Sequence, residues 1–294
     1  MSAKKQINMQ ELLLSKSKKI VDAAGCEALF LEDVYALKIA KECGCNVYDV
    51  YIDALKKGIC PYRYFRNRET ISIKEQLMLA ESRVAVIGAG GLGGQVILLL
   101  ARTGVGYLTV VDGDIFEETN LNRQALCNKN SLGKSKAKEA LASVETVNPG
   151  IKVSAYPVKL NPSNASEMLA GSDVIVDALD NVSDRFVLED ACKKLGIPLI
   201  HGALAGFEGQ VMTIFPDDTG LKNLYGNKKG SENGSRSSED ALSVPAMTPC
   251  LVATLQTMEV LKIILKRGKI FKNAMLYVDL ETGQMNEFVF EKHK

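Results

Sequence analysis

One short stretch limits the possible folds more than any other. The apolar run Val84-Ala85-Val86-Ile87 passes directly into Gly88-Ala89-Gly90-Gly91-Leu92-Gly93-Gly94, and helical periodicity follows. A buried strand that turns on glycine into a helix brings backbone N–H groups and the positive end of the helix dipole up to an anion. That turn opens the nucleotide-binding α/β folds.

The pattern beyond it repeats the unit. Apolar strands at 108–111, 153–157, 174–178 and 198–201 alternate with helical stretches at 96–103, 134–147 and 184–195. Such alternation predicts an α/β fold, a Rossmann-like, mainly parallel sheet with right-handed crossovers. Residues 209–215 read as a further strand and 251–265 as an amphipathic helix. Residues 275–279 and 287–290, joined across Thr282-Gly283, read as a hairpin, so the C-terminal strands should be antiparallel. Residues 8–58 read as short helices with breaks at Gly25 and Gly44, a small N-terminal helical segment occupying residues 1–60. Residues 217–244, rich in glycine, serine and lysine, read as a mobile surface loop.

Composition removes several alternatives. A formal net charge of +1 over 294 residues gives no overall pull toward nucleic acid or a membrane. No apolar run is expected to reach the length of a bilayer span, and residues 1–20 are too polar for a secretory signal. The seven cysteines include no Cys-x-x-Cys pair, which argues against a disulfide framework and a tetrathiolate zinc site. A reducing cytoplasm is the expected location. Only His201 and His293 are present, so chemistry built on histidine is not expected. Residues 31–57 have a faint helix-turn-helix outline hinged at Cys43-Gly44-Cys45. Their second helix offers Asp49, Tyr51 and Asp53, and two acids repel a phosphate backbone, so DNA is not the expected partner.

The residues after the glycine turn decide the nucleotide. Gly88, Gly90 and Gly93 have dinucleotide spacing, and Asp112 lies about twenty residues farther on, where a ribose-binding acid belongs. An NAD-dependent oxidoreductase would satisfy both features. A nicotinamide cofactor gives no reason, however, to gather Arg123 and Lys136 beside its pyrophosphate. ATP does, because breaking its α–β bond builds charge on departing pyrophosphate. Asp180 follows a strand at the end where open α/β sheets bind ligands, and a carboxylate there suits Mg²⁺. It could equally serve as the N-cap of the helix near Asp184.

Taken in order, Gly88–Gly93, Asp112-Gly113-Asp114, Asn120-Leu121-Asn122-Arg123-Gln124, Gly133-Lys134-Ser135-Lys136, Asn148-Pro149, Asp177-Ala178-Leu179-Asp180-Asn181 and Gly206-Phe207-Glu208-Gly209-Gln210 form a series. The series resembles the ThiF/MoeB/HesA family of ubiquitin-activating E1-like adenylyltransferases. The resemblance makes residues 61–294 an adenylation domain. It implies a homodimer that uses ATP and Mg²⁺ to adenylate a small ubiquitin-like sulfur carrier ending in Gly-Gly. It also implies that Gly91 and its neighbours contact the nucleotide, with Asp112 and Asp114 at the ribose end. Asn120, Arg123 and Lys136 fall at its phosphate-binding positions, Gln124 at a nucleotide-binding one, and Asp180, with Asn181 beside it, at its metal position. Arg63-Tyr64-Phe65-Arg66 is similar to the family's entry segment, whose second arginine, here Arg66, reaches the partner subunit's site.

The departures are specific. The Cys-x-x-Cys pairs of many members are missing, so zinc is not expected, and residues 217–244 contain no cysteine for a covalent carrier link. Cys127 and Cys192 read as packing residues, and Cys250, after Pro249, as a small apolar residue at a helix start or a substitute for that missing cysteine. A non-catalytic nucleotide-binding regulator stays open as a rival beside the oxidoreductase.

Overall fold

Helix α1 (Met9–Lys16), strands β1 (Lys18–Val21) and β2 (Glu27–Leu31), helices α2 (Asp33–Cys43) and α3 (Val47–Lys56) and strand β3 (Ile59–Pro61) build an N-terminal unit. They are seen in a computed structural model that describes residues 8–21, 25–226 and 243–290. Helices alone were expected here, and the strands correct that. β1 and β2 pair antiparallel and β2 and β3 pair parallel in a three-stranded sheet. Runs of three to five residues are too short for periodicity to separate strand from helix, so their pairing partners decide. Gly44 does end α2, at a φ of 69°. α3 is not free to enter a DNA groove: Val47, Tyr48, Val50, Tyr51, Ile52, Ala54 and Leu55 are all buried.

The unit sits directly on the rest of the chain. Tyr48, Ile52 and Leu55 of α3 pack against Ala80 of α4 (Ile73–Glu81). Tyr51 lies so close to Gly150 that a Cβ there would fall 2.2 Å from its ring. Arg63 ties the two parts together, donating to Asp33 and, at 2.6 Å, to the Val147 carbonyl.

The larger sheet is built from β4 (Arg83–Ile87), β5 (Tyr107–Val111), β6 (Lys152–Tyr156), β7 (Val174–Asp177), β8 (Leu199–Ala205), β9 (Glu208–Ile214), β10 (Ala274–Asp279) and β11 (Gln284–Val289). Its eight strands run in the order β11-β10-β9-β8-β7-β4-β5-β6. Pairing is parallel from β8 to β6 and antiparallel from β8 to β11, as the alternating pattern predicts. Val84 and Val86 of β4 feed one apolar cluster and Ala85 and Ile87 the other, so both faces must be covered. On the first face lie α5 (Gly91–Thr103), α6 (Lys136–Val147) and a helix at Met247–Leu265. On the second lie α7 (Ala165–Leu169) and α8 (Val182–Leu195). Val96, Ile97 and Leu100 of α5 are fully buried, each worth about 1.5–3 kcal/mol by transfer from water.

The short helix α9 (Lys222–Tyr225) occupies part of the expected surface loop, and residues 227–242 of that loop lie outside the described residues. Helix Met247–Leu265, here α10, corrects the expectation about apolar length. With 19 residues and a mean hydropathy of 1.3 it could cross a bilayer by length and composition. It packs on α5, β8 and β9 as a core helix instead.

Candidate active site

Strand order reverses at β4. The chain proceeds from β4 to β5 and β6 on one side and returns to β7 on the other, which opens a crevice at the strands' C-terminal ends. Gly88 leaves β4 with a φ of 97°, and a Cβ there would meet the Ala178 carbonyl oxygen at 2.4 Å. Gly93 packs still more tightly, because its Cβ would lie 1.8 Å from the Gly88 carbonyl oxygen. These contacts press the start of α5 onto the sheet, so its unpaired N–H groups open into the crevice. Gly90 is the N-cap and contributes no side chain of its own.

The crevice holds a cavity of about 1180 Å³. Gly88, Gly90, Gly91, Asp112, Asp114, Arg123, Gln124, Lys136, Asp180 and Asn181 all line it. Residues distant in sequence, such as Lys136, Leu204 and Val244, thus share one wall system with the glycine turn. Asn120 and Gly93 do not line it, and Asn122 does. Asn120 is buried in its turn, where its side-chain oxygen accepts the Glu117 N–H at 3.0 Å. That oxygen is thus engaged within its own turn. Arg66 also lies away from the cavity, exposed on the 3-10 turn Tyr62–Asn67 with its guanidinium over the Phe65 ring.

The polar groups around the cavity are held in place by backbone. Asp112 accepts the Ala89 N–H at 2.7 Å and the Asp114 N–H at 2.8 Å, locking the β5 end to the glycine turn. Burial pushes its carboxyl above the ordinary range, against the pull of those two N–H groups and of Lys136. Lys136 is only 8% exposed, and its ammonium lies 3.4 Å from Asp114 Oδ2. It opens α6, whose N-cap is Ser135. Arg123 donates to the Thr119 carbonyl at 3.0 Å and to Asn122 Oδ1 at 2.9 Å, which aims a cation at the start of α5. Gln124 is buried beside Gly90, and its Oε1 has no hydrogen-bond partner. A buried acceptor left this way carries a cost that a ligand donor would remove.

Asp180 is exposed at the mouth, and the helix-cap alternative for it falls away. Asn181 is the N-cap of α8, its side chain accepting the Asp184 N–H at 2.9 Å. Asp180 Oδ1 is left with one weak contact, from Asn181 Nδ2 at 3.3 Å. No group of three or more His, Cys, Asp or Glu that could hold a metal occurs among the described residues. A lone carboxylate suits a magnesium ion that draws its other ligands from phosphate and water.

Sequence reasoning missed Lys159, whose backbone and stem approach Gly113, and the buried pairing of Asp177 with His201 behind the wall. No local pattern announces either feature. Only the sheet brings them to the site.

A glycine turn at a switch point, sharing one cavity with a lysine, an arginine and an acid at the mouth, defines a nucleoside-phosphate site of the doubly wound α/β class. The chain belongs to the ThiF family, whose model matches residues 64–294. It is 38% identical over 219 residues to the SAMP-activating enzyme E1 of Haloferax volcanii, covering 74% of this chain and 80% of that one. It is 37% identical over 213 residues to the sulfur carrier protein adenylyltransferase of Thermus thermophilus, covering 69% and 77%. The adenylyltransferase and sulfurtransferase MOCS3 of Arabidopsis thaliana is 35% identical, but this chain spans only 52% of its length. Among solved structures, E. coli MccB with ATP has the same fold, with a TM-score of 0.66 at 22% identity, covering 79% of this chain and 72% of that one.

Proposed function

We propose that this chain is an adenylyltransferase that uses ATP to activate the C-terminal carboxylate of a small ubiquitin-like sulfur carrier. The observation that carries the reading is that Lys136, Arg123 and the glycine turn line one cavity, with Asp180 uncommitted across it. The names of the Haloferax and Thermus relatives, both matched over more than two thirds of their length, support the same chemistry.

In this reading the start of α5 and Arg123 hold the polyphosphate, and Asp112 and the Gln124 amide receive the ribose end. The carrier carboxylate, ionised at neutral pH, attacks the α-phosphorus without a side-chain base. An O–P bond forms, the bond to the bridging oxygen breaks, and pyrophosphate leaves with the electron pair. Lys136 and Arg123 neutralise the charge that grows on the leaving group, and alignment supplies the rest. Asp180, supported by Asn181, would hold Mg²⁺, which supplies further charge neutralisation on the phosphates when bound. A homodimer completes the site, with Arg66 of each subunit serving the other, and its exposure away from its own cavity supports that role. The carrier ends in Gly-Gly, since a tail without side chains can lie along the cavity beside Leu224 and Tyr225. A cytoplasmic location goes with this reading.

Carrier-dependent ATP–pyrophosphate exchange tests it, with a panel of Gly-Gly-ended carriers and the variants Asp180→Ala and Arg66→Ala. Exchange that needs a carrier and collapses in both variants is expected. Hydride transfer to a nicotinamide, or ATP binding without exchange on any carrier, would overturn the reading in favour of an oxidoreductase or a regulator.

A further inference from the structure

Behind the turn that carries Asp180 lies a polar cluster for which the chemistry above has no use. Asp177 and His201 are both fully buried, with His201 Nδ1 2.7 Å from Asp177 Oδ2. A carboxylate only accepts, so Nδ1 carries the proton and Nε2 keeps a lone pair. Burial, the largest influence on His201, lowers its pKa against the pull of Asp177, in keeping with a neutral ring. Nε2 faces the Tyr225 hydroxyl at 3.4 Å. That hydroxyl accepts from Arg185 Nη1 at 3.2 Å and lies 3.3 Å from Gln210 Nε2, which is itself 3.5 Å from His201 Nε2.

The same cluster fixes the neighbour of Asp180. Asp177 Oδ1 accepts the Leu179 N–H at 3.0 Å, and Arg185 Nη2 donates to the Leu179 carbonyl at 2.5 Å. Arg185 also lies against Asp177, offsetting its charge. At the other end of α9, the Leu221 N–H is held by the buried Glu189 at 3.2 Å. The Tyr225 ring, standing edge-on to His201 at 88°, is left as part of the cavity wall.

Burying an acid, an arginine and a histidine costs desolvation that apolar side chains of the same shape would avoid. Stability alone therefore does not account for the cluster. We propose that Tyr225 is a positioning residue for the carrier's tail, its ring fixed as a wall of the cavity by buried His201, Asp177 and Arg185. The proposal rests on the adenylation reading and adds to it a tether between the tail's wall and the Asp180 turn.

Tyr225→Phe removes one oxygen and keeps the ring. His201→Asn keeps a donor for Asp177 near the Nδ1 position and deletes Nε2. In carrier-dependent exchange each variant is expected to raise the carrier KM about tenfold, the scale of one lost hydrogen bond, while the ATP KM stays within about twofold. The double variant should be no worse than either single one, because both break one tether. An unchanged carrier KM in Tyr225→Phe, or carrier and ATP KM rising together, overturns the proposal. If wild type exchanges with no carrier, the adenylation reading fails and the tail's role falls with it. Amide hydrogen exchange over residues 221–225 then judges the tether separately. Faster exchange in both variants sustains the tether, and unchanged protection removes it.

Discussion

Lys136→Met isolates the charge that the cavity depends on. Lys136 is buried along its stem, and methionine replaces that stem with an apolar chain of similar length. The lost ion pair has a partner, Asp114, whose side chain is 54% exposed, so the pair is worth no more than about 1 kcal/mol of stability. A drop in Tm beyond about 2–4 °C is not expected. The catalytic cost is larger. An ammonium roughly 3.5 Å from a phosphate oxygen, at an effective dielectric constant of about 20, interacts by roughly 5 kcal/mol before desolvation is counted. Removing one such fixed donor from a developing anion costs about 2.7–4 kcal/mol, or roughly a 100- to 1000-fold loss of rate. Carrier-dependent exchange of labelled pyrophosphate, followed beside thermal unfolding of the same preparation, gives both numbers. A rate loss under about fivefold with normal folding would refute Lys136 as a charge-neutralising residue. A large fall in Tm would make it structural instead.

Gly93→Ala places a Cβ 1.8 Å from the Gly88 carbonyl oxygen, so the turn must open, with a loss of about 1–3 kcal/mol and of ATP binding; calorimetric titration at wild-type affinity would contradict this. Mixing Asp180→Ala with Arg66→Ala, each inactive alone, should restore exchange if the arginine acts across a dimer, and a mixture as dead as its components would rule that out. Asp33 meets burial, which raises its pKa, but hydrogen bonds from Arg63 and Tyr51 outweigh it and leave the carboxyl below its ordinary range. A depressed carboxylate contributes stability above its unfolded pKa and loses it as pH falls through the folded one. Asp33→Asn should therefore cost about 1–3 kcal/mol at neutral pH, with the gap closing below about pH 4 in urea titrations; a gap independent of pH would show that the charge is irrelevant.

Local rules made much of the site legible in the amino-acid order alone. The turn from Ile87 through Gly93 is dictated by backbone sterics within a few residues, so its glycines, Asp112 and the cations after them could be read in advance. The parallel core was legible for a similar reason, since strands buried on both faces are apolar throughout. The strands β1 to β3 were not, because short runs take their conformation from partners. Asn120 has the type and spacing of a ligand, yet its turn consumes its oxygen and Asn122 takes the exposed place. His201 lies 24 residues from its partner Asp177 and Arg185 lies 40 from its partner Tyr225, and nothing near them in the chain announces the cluster. Sequence sets what a residue can donate, accept or pack over one turn of chain. Which distant group stands opposite it, and whether water is excluded between them, is decided only when the sheet closes.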